Sequence, residues 1–187
     1  MRPPATYLLP TWTQTVASRK PMPDPFEIRR LQAVDAEDYR TIRLAALKTQ
    51  PQAFGAVHAD EASRPAAHFA ERIATSTVLG AYHQAQIVGM IGLKQEVGAK
   101  VSHKGLIWGF YVEPFHQRRG IGSALLAAII DAARDLVEQV TLTVVQQNTF
   151  AIALYERFGF SVYGVEPRAL KTSQGYSDEV LMVRILD

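Results

Sequence analysis

The order of a strand, a helix and a second strand between residues 106 and 145 restricts the fold more than any other feature of the sequence. The apolar run 106–112 predicts a strand, the β-branched run 140–145 predicts another, and an apolar stripe between them predicts a helix from Ile121 to about Val137. Two strands joined through a helix pair in parallel by a right-handed crossover. The middle of the chain therefore predicts a parallel strand pair within one sheet. The stripe consists of Leu125, Ala128, Ile129, Ala132 and Leu136.

Antiparallel elements flank this unit on both sides. The apolar runs 78–82 and 87–94 surround a short turn and predict a hairpin, and the runs 160–165 and 180–186 predict the closing strands. Because parallel and antiparallel pairs occur in one chain, the expected fold class is α/β, in the form of an α+β mixed sheet covered by helices. A pure doubly wound sheet is not expected.

Capping signals delimit the elements at the start of the domain. The run 26–34 predicts a first strand, and Asp35 is expected to cap a helix that Pro51 stops. Residues 51–61 are expected to be irregular. A short helix over 65–74 should follow, with its proline in the first turn.

Composition narrows the class of protein. The chain has 187 residues, 48% of them hydrophobic and 20% charged, which fits one globular domain. Its net charge of +2 predicts no nucleic-acid partner, and no apolar run reaches the ~18 residues of a membrane span. The absence of cysteine excludes disulfides, thiolate zinc sites and a cysteine nucleophile, and it fits a cytoplasmic protein. The five histidines show no metal-binding spacing, so we expect no metal.

Proline marks a boundary near the N-terminus. Residues 1–25 hold six of the ten prolines, and proline removes backbone donors and resists helix formation. The same stretch lacks the continuous apolar run of a secretory signal. We therefore expect a proline-rich extension, 1–25, beside a single domain, 26–187.

The segment 117–122, which reads Gln-Arg-Arg-Gly-Ile-Gly, lies between the strand that ends at Val112 and the helix that begins at Ile121. The first turn of a helix has backbone N–H groups without partners, and the helix dipole places partial positive charge there. Glycines let a phosphate approach the backbone, and Arg118 and Arg119 add two cations. These are the components of a diphosphate site.

Two common nucleotide motifs do not match this segment. A Walker loop requires Gly-x-x-x-x-Gly-Lys-Ser/Thr, which is absent. The dinucleotide fingerprint requires a third glycine where this chain has Leu125. A nucleotide-binding domain of another kind remains the less favoured hypothesis.

Two blocks of the sequence resemble the GNAT superfamily of N-acetyltransferases. Val112-Glu113-Pro114 followed by 117–122 resembles the family's motif A, in order and spacing. Asn148, which is expected to cap a helix over 149–158 that Gly159 ends, opens a second block. That block resembles the pattern Asn-x-x-Ala-x-x-Leu-Tyr-x-x-x-Gly-Phe, and the resemblance extends from about residue 26 to the C-terminus.

The resemblance implies a fold, a co-substrate and roles for particular residues. It implies the GNAT fold with a splayed strand pair in the middle of the sheet, acetyl-CoA as co-substrate, and transfer of the acetyl group to a primary amine of a small molecule, an amino acid or a peptide N-terminus. Tyr155 would protonate the leaving thiolate, and the backbone N–H of Val112 would stabilise the thioester oxygen. Dimers are common in the family, although this sequence gives no independent sign of a homodimer. The cofactor-binding positions implied are Phe110, Tyr111, Val112, Gln117, Arg118, Arg119, Gly120, Ile121, Gly122, Ser123 and Asn148.

The general base and the acceptor pocket are not specified by these blocks. In the ribosomal-protein branch a glutamate acts as base five residues before the asparagine, where this chain has Thr143. The other candidate bases are Glu61, Glu96, His103 and Asp178. Residues 51–74 and 166–177 are expected to build the acceptor pocket, with Phe54, Tyr176 and Asp178 as substrate-binding candidates.

Other interpretations stay open on the sequence alone. Tyr155 could be a core tyrosine of an amphipathic helix, and Phe54 and Trp108 could be packing residues. Because threonine cannot deprotonate an amine, Thr143 keeps open a non-catalytic acyl-CoA-binding sensor or interaction domain.

Overall fold

The computed structural model describes residues 25–186, which form one seven-stranded mixed sheet with helices on both faces. The spatial order of the strands is β1-β2-β3-β4-β5-β7-β6. None of the helices in this range is long and apolar enough to span a membrane. The predicted extension 1–25 lies outside the described residues except for Pro25. The strands are β1 (Phe26–Arg30), β2 (Thr77–His83), β3 (Gln86–Gln95), β4 (Lys104–Val112), β5 (Gln139–Val145), β6 (Ser161–Thr172) and β7 (Gly175–Ile185), and the helices are α1 (Ala36–Thr49), α2 (His58–Ala62), α3 (Ala66–Ala74), α4 (Ile121–Arg134) and α5 (Thr149–Arg157).

The predicted parallel pair is present but short. β4 and β5 pair in parallel over only three positions, which join Lys104–Leu106 to Gln139–Thr141. Beyond Leu106 the two strands diverge, whereas β5 continues to pair with β7 along its whole length. The mixed sheet and its splayed middle are therefore confirmed.

A β-bulge bends β4 at the point where the splay begins. Met90 pairs with Tyr111 and Gly92 pairs with Trp108, so that Gly109 and Phe110 together stand opposite Ile91. Gly109 has φ of +66°, a conformation that glycine adopts without the steric cost of a side chain. A bulge of this kind increases the local bend and twist, which turns β4 away from β5.

The sheet separates two apolar clusters. The cluster on one face is formed by α4 with inward residues of β5 and β7, among them Leu125, Ile129 and Leu142. The cluster on the other face is formed by α1 and α3 and contains Tyr39 and Phe69. Large buried apolar side chains of this kind contribute about 1.5–3 kcal/mol each. The two clusters hold the strand ends around the splay in place from both sides.

α1 begins directly after Asp35 as predicted, but the end of β1 and the side-chain cap differ from the prediction. β1 ends at Arg30 rather than at residue 34, and Asp35 makes no side-chain cap to α1. Its carboxylate instead accepts two hydrogen bonds from Arg29, at 2.8 and 2.9 Å, and one from the backbone N–H of Gln32 at 2.7 Å. The guanidinium of Arg29 lowers the pKa of Asp35 below its usual value. The Asp35 carboxylate thus stabilises the turn before α1 and does not cap the N-terminus of α1.

Several other boundaries also differ from the prediction. The region expected to be irregular contains α2, and Pro65 stands at the N-cap of α3 rather than inside its first turn. α4 ends at Arg134, because Leu136 and Val137 both donate to the carbonyl of Ala133 in a tight turn, and Leu136 is 47% exposed. β6 and β7 extend far beyond the predicted closing strands. β6 is exposed at most of its positions, and two irregularities interrupt its register with β7, so it lacks the apolar alternation that predicts a strand.

A buried ion cluster joins α1, α2 and α3. Glu61 accepts hydrogen bonds from Arg43 at 2.9 and 3.1 Å and from Arg72 at 3.3 Å, and Arg43 and Glu61 are both buried. Burial opposes ionisation of Glu61, but its hydrogen bonds and charge interactions with the two arginines outweigh it and lower its pKa. This cluster fixes the loop before α2, because Arg43 also lies over the ring of Phe54 at 5.2 Å.

We expect Glu61→Ala to lower the free energy of unfolding by about 3–5 kcal/mol, because it leaves a buried guanidinium without its partner. Since the pKa of Glu61 is lowered in the folded protein, its contribution is present above the unfolded pKa and is lost as the pH falls through the folded pKa. Urea unfolding at several pH values measures both effects. The control is Glu37→Ala, which removes an exposed pair with Arg40 at 3.9 Å and should cost less than about 1 kcal/mol. Equal losses for the two variants would contradict the buried cluster's role.

Candidate active site

The splay between β4 and β5 opens a cavity of about 710 Å³. One wall is β4 from Leu106 to Val112, and the opposite wall is β5 from Leu142 to Val145. The first turn of α4 and the start of α5 close one end, and residues 53–55 after α1 border another part. The cavity therefore brings both sequence blocks together, although they lie far apart along the chain.

The N-terminus of α4 faces this cavity without a side-chain cap. Gly120 is the N-cap, with φ of +88°, and the first turn holds no acidic residue. The first intrahelical bond that closes the helix runs from the N–H of Ala124 to the carbonyl of Gly120 at 3.0 Å. The N–H groups from Ile121 to Ser123 consequently have no intrahelical acceptor and carry the positive end of the helix dipole. This end of α4 is suited to bind an anion.

Only some of the cofactor-binding residues that the sequence predicts in and after the loop before α4 line the cavity. Gln117, Arg118, Gly120, Gly122 and Ser123 line the cavity, whereas the side chains of Arg119 and Ile121 do not. Ile121 is buried in the core, so that only its backbone can face a ligand. Gln117 donates to the carbonyl of Val112 at 2.9 Å and thereby holds the loop against the end of β4.

The outer edge of β4 presents backbone groups toward the splay. The N–H of Glu113 donates to the carbonyl of Val88 on β3 at 2.9 Å. Because neighbouring amides in a strand point to opposite edges, the N–H of Val112 points away from β3 and toward the gap. Tyr111 is buried and its hydroxyl hydrogen-bonds Thr49 at 2.8 Å, which holds this part of β4 in position. An extended ligand could therefore pair with the free edge as an added strand does.

Asn148 and Tyr155 place two polar groups on the opposite side of the cavity. Asn148 caps α5, because its side-chain oxygen accepts from the N–H of Ala151 at 3.2 Å, as predicted. Tyr155 is buried between Phe110 and Phe160, with ring centroids 6.0 and 5.8 Å apart. Burial raises the pKa of Tyr155 well above its usual value, so the hydroxyl keeps its proton at neutral pH and can act as a donor.

The predicted acceptor residues are only partly at the cavity. Phe54 lines it, but Tyr176 is 56% exposed and lies beneath the guanidinium of Arg168 at 5.2 Å. Asp178 accepts a hydrogen bond from the backbone N–H of Arg168 at 2.7 Å and does not line the cavity. Substrate binding by Tyr176 and Asp178 stays a prediction to which the cavity adds no support.

The candidate bases from the sequence are all placed elsewhere. Glu61 belongs to the buried arginine cluster, Glu96 and His103 lie in the connection between β3 and β4, and Asp178 holds a backbone amide. None of these four lines the cavity. Within residues 25–186 no three His, Asp or Glu side chains are grouped so that they could hold a metal ion.

Sequence reasoning missed Glu179, which lines the cavity from β7. Burial and the charge of Glu166 raise the pKa of Glu179 above its usual value, although a hydrogen bond with Thr143 opposes this shift. Glu179 was assigned to no element, because the predicted closing strand began one residue later. The alternation of polar and buried residues from Glu179 through Val180 to Met182 indicates a strand that includes Glu179. It does not indicate that this strand pairs with β5.

We expect Asn148→Ala to lower the free energy of unfolding by about 0.5–2 kcal/mol, because the N–H of Ala151 loses its cap. Asn148→Ser is the matched control, since serine can accept the same hydrogen bond and should restore most of the stability. Chemical denaturation of the three proteins measures the difference. A serine variant as unstable as the alanine variant would show that capping is not the source of the loss.

Comparison with characterised proteins identifies relatives of this chain. It is 32% identical over 92 residues to the spermine/spermidine N(1)-acetyltransferase of Bacillus subtilis, a match that covers 46% of this chain and 60% of the relative. It is 35% identical over 83 residues to the ribosomal protein bS18-alanine N-acetyltransferase of Salmonella typhimurium, covering 44% of this chain and 56% of the relative. The matched region thus spans somewhat more than half the length of each relative.

Comparison with solved structures identifies the same fold. An acetyltransferase of the GNAT family from Streptococcus pneumoniae aligns with a TM-score of 0.77 at 21% identity, over 87% of this chain and all of that one (100%). The yncA protein of Salmonella typhimurium, solved with its cofactor acetyl-CoA, aligns with a TM-score of 0.74 at 21% identity, over 87% of this chain and 95% of that one. The family model for the acetyltransferase (GNAT) family matches residues 33–160. The chain therefore belongs to the GNAT family of acetyltransferases.

Proposed function

We propose that this protein binds acetyl-CoA and transfers its acetyl group to a primary amine of a small molecule, an amino acid or a peptide N-terminus. The observation that carries the proposal is the composition of the single cavity in the splay. A free strand edge, an uncapped helix N-terminus and a buried tyrosine all line the same cavity. The named relatives are N-acetyltransferases, which supports the same reaction class.

The residues of the cavity fit coenzyme A. The free edge of β4 at Phe110 to Val112 would pair with the amides of the pantetheine arm. The amides from Ile121 to Ser123, together with Arg118, would bind the diphosphate. Gly122 faces Phe110, and a side chain at this position would occupy the space between α4 and β4. When bound, acetyl-CoA supplies an activated acetyl thioester.

The chain's own residues would position and stabilise the reacting groups. Holding an amine in line with the acetyl carbon can contribute about 7–11 kcal/mol toward the barrier. The N–H of Val112 points to the gap and would donate to the thioester oxygen. Tyr155 would give its proton to the departing thiolate and recover it from solvent. Its raised pKa keeps the hydroxyl protonated until that moment.

We expect Tyr155→Phe to lower kcat by about 100- to 10,000-fold while leaving the dissociation constant for coenzyme A nearly unchanged, because only the proton donor is removed. Tyr163→Phe is the control, since Tyr163 is exposed on β6. Steady-state release of free thiol and calorimetric titration with coenzyme A measure the two quantities. If Tyr155→Phe keeps the wild-type kcat, Tyr155 is a core residue and not the acid.

We expect Arg118→Ala to weaken coenzyme A binding about tenfold to a hundredfold, because a charge-assisted hydrogen bond contributes about 1.5–3 kcal/mol. Arg119→Ala is the matched control, since it removes the same charge from the adjacent position, which does not line the cavity. Calorimetric titration at low and moderate salt measures both. Equal losses would indicate that only the net charge of the loop matters.

An acceptor screen tests the proposal as a whole. Purified protein, acetyl-CoA and a panel of amines, including polyamines, amino acids and peptides with free N-termini, should release free thiol and an acetylated amine. Binding of coenzyme A without any turnover across the panel would instead favour an acyl-CoA-binding sensor.

A further inference from the structure

We infer that Glu179 accepts the proton that the attacking amine releases, an inference that rests on the proposed acetyl transfer. The position of the base in the ribosomal-protein branch is Thr143 in this chain, and threonine cannot take that proton. The structure assigns the missing carboxylate to the neighbouring strand, β7, at Glu179.

The register of the sheet places Glu179 beside Thr143. Glu179 pairs with Val145 across β5 and β7, and Thr143 lies two residues before Val145. Since residues two apart in a strand share a face, Thr143 and Glu179 are diagonal neighbours on one face of the sheet. The Thr143 side chain is close enough to the Glu179 carboxylate to lower the pKa of Glu179. The carboxylate that β5 lacks at Thr143 is therefore supplied by Glu179 of the adjacent strand β7, at a neighbouring position on the same face of the sheet.

The composition of the cavity lining favours Glu179 as this base. Within the described part of the chain, Glu179 is the sole carboxylate in the cavity lining, which contains neither histidine nor lysine. Thr143 and Glu179 lie on the sheet face opposite α4, because the intervening residues Leu142, Val144 and Val180 point into the α4 core. An amine that enters from this side would meet Glu179 before it reaches the thioester.

The surroundings of Glu179 make it a better proton acceptor than an exposed carboxylate. Burial raises its pKa, Glu166 on β6 raises it further, and Thr143 on β5 lowers it, with a net upward shift. Across the cavity, Arg43 from α1 and Arg157 from α5 also line the wall. The charge of Arg43 is balanced by Glu61, with which it is paired at 2.9 Å. A pKa closer to the working pH strengthens a general base.

With Glu179 as the base, every bond and proton in the acetyl transfer is accounted for. The amine nitrogen forms a bond to the acetyl carbon as the bond from that carbon to sulfur breaks. The proton leaves the nitrogen for the carboxylate of Glu179, directly or through one water. The departing thiolate takes a proton from Tyr155. Solvent then removes the proton from Glu179 and restores that of Tyr155, so that the products are the acetylated amine and the free thiol.

The test compares variants with the best acceptor found by the screen. We expect Glu179→Gln to lower kcat at least 100-fold, to abolish the acid limb of the pH profile and to leave coenzyme A affinity unchanged. Glu166→Gln is the control from the paired position on β6, outside the cavity. It should keep the wild-type kcat at high pH and move the acid limb to lower pH, because the repulsion that raises the pKa of Glu179 is gone.

A rescue variant and a measurement without substrate separate proton transfer from structure. Thr143→Glu in the Glu179→Gln background should restore part of the lost rate, because it returns a carboxylate to the diagonal position. Carbon-13 NMR of the ligand-free protein should show a glutamate carboxyl that titrates above the usual range and is absent from Glu179→Gln.

The outcomes distinguish this inference from the proposed function. If the wild-type protein acetylates an amine and Glu179→Gln keeps both its rate and its acid limb, Glu179 is not the base and the acetyltransferase proposal stands. If Glu179→Gln loses activity together with its fold, the absence of a raised glutamate titration in the wild-type protein would overturn the inference. If no amine is acetylated by the wild-type protein, the inference and the proposed function fall together.

Discussion

The early separation of β4 from β5 is the constraint on which the rest of the site depends. Three residue pairs hold the strands together, and the bulge at Gly109 then turns β4 away. β5 stays paired with β7 along its whole length and does not follow β4. Apolar clusters on both faces of the sheet pack against the two strands. The result is a cavity in the middle of a sheet, where backbone groups are normally satisfied by neighbouring strands.

The two faces of the sheet contribute different chemical groups to the cavity. α4 and α5 supply the helix dipole, Asn148 and Tyr155, which suit a phosphorylated cofactor and its thioester. The other face supplies Glu179 and Thr143, and Phe54 and Arg43 line the same cavity from α1 and the loop after it. The proposed proton donor and the proposed proton acceptor thereby lie on different elements of one cavity. Burial raises the pKa of both Tyr155 and Glu179, which keeps the first protonated and makes the second more basic.

The sequence predicted the features that depend on neighbours along the chain. The parallel pair, the start of α4 at Ile121 and the cap at Asn148 follow from short patterns, and the structure confirms them. Asp35 occupies the N-cap position of α1 as predicted, but its carboxylate binds Arg29 and not the N–H groups of the helix. Glu179 could not be found at all, because its position in the site depends on the register between β5 and β7. A shift of one residue in that register would have turned Glu179 to the opposite face.

The register between β5 and β7 also indicates the side of the sheet from which an acceptor would enter the cavity. Glu179 and Thr143 lie on the face that α1 and the loop 50–55 border, and that loop meets the β6–β7 hairpin where Gln52 donates to Gln174 at 3.4 Å. Gly55 packs close to Leu170 of the same hairpin. The loop 50–55 and the β6–β7 hairpin therefore contact each other beside β7. Because this loop and this hairpin differ from the sequence blocks proposed to bind the cofactor, the identity of the acceptor can vary while the proposed transfer chemistry at the splay is retained.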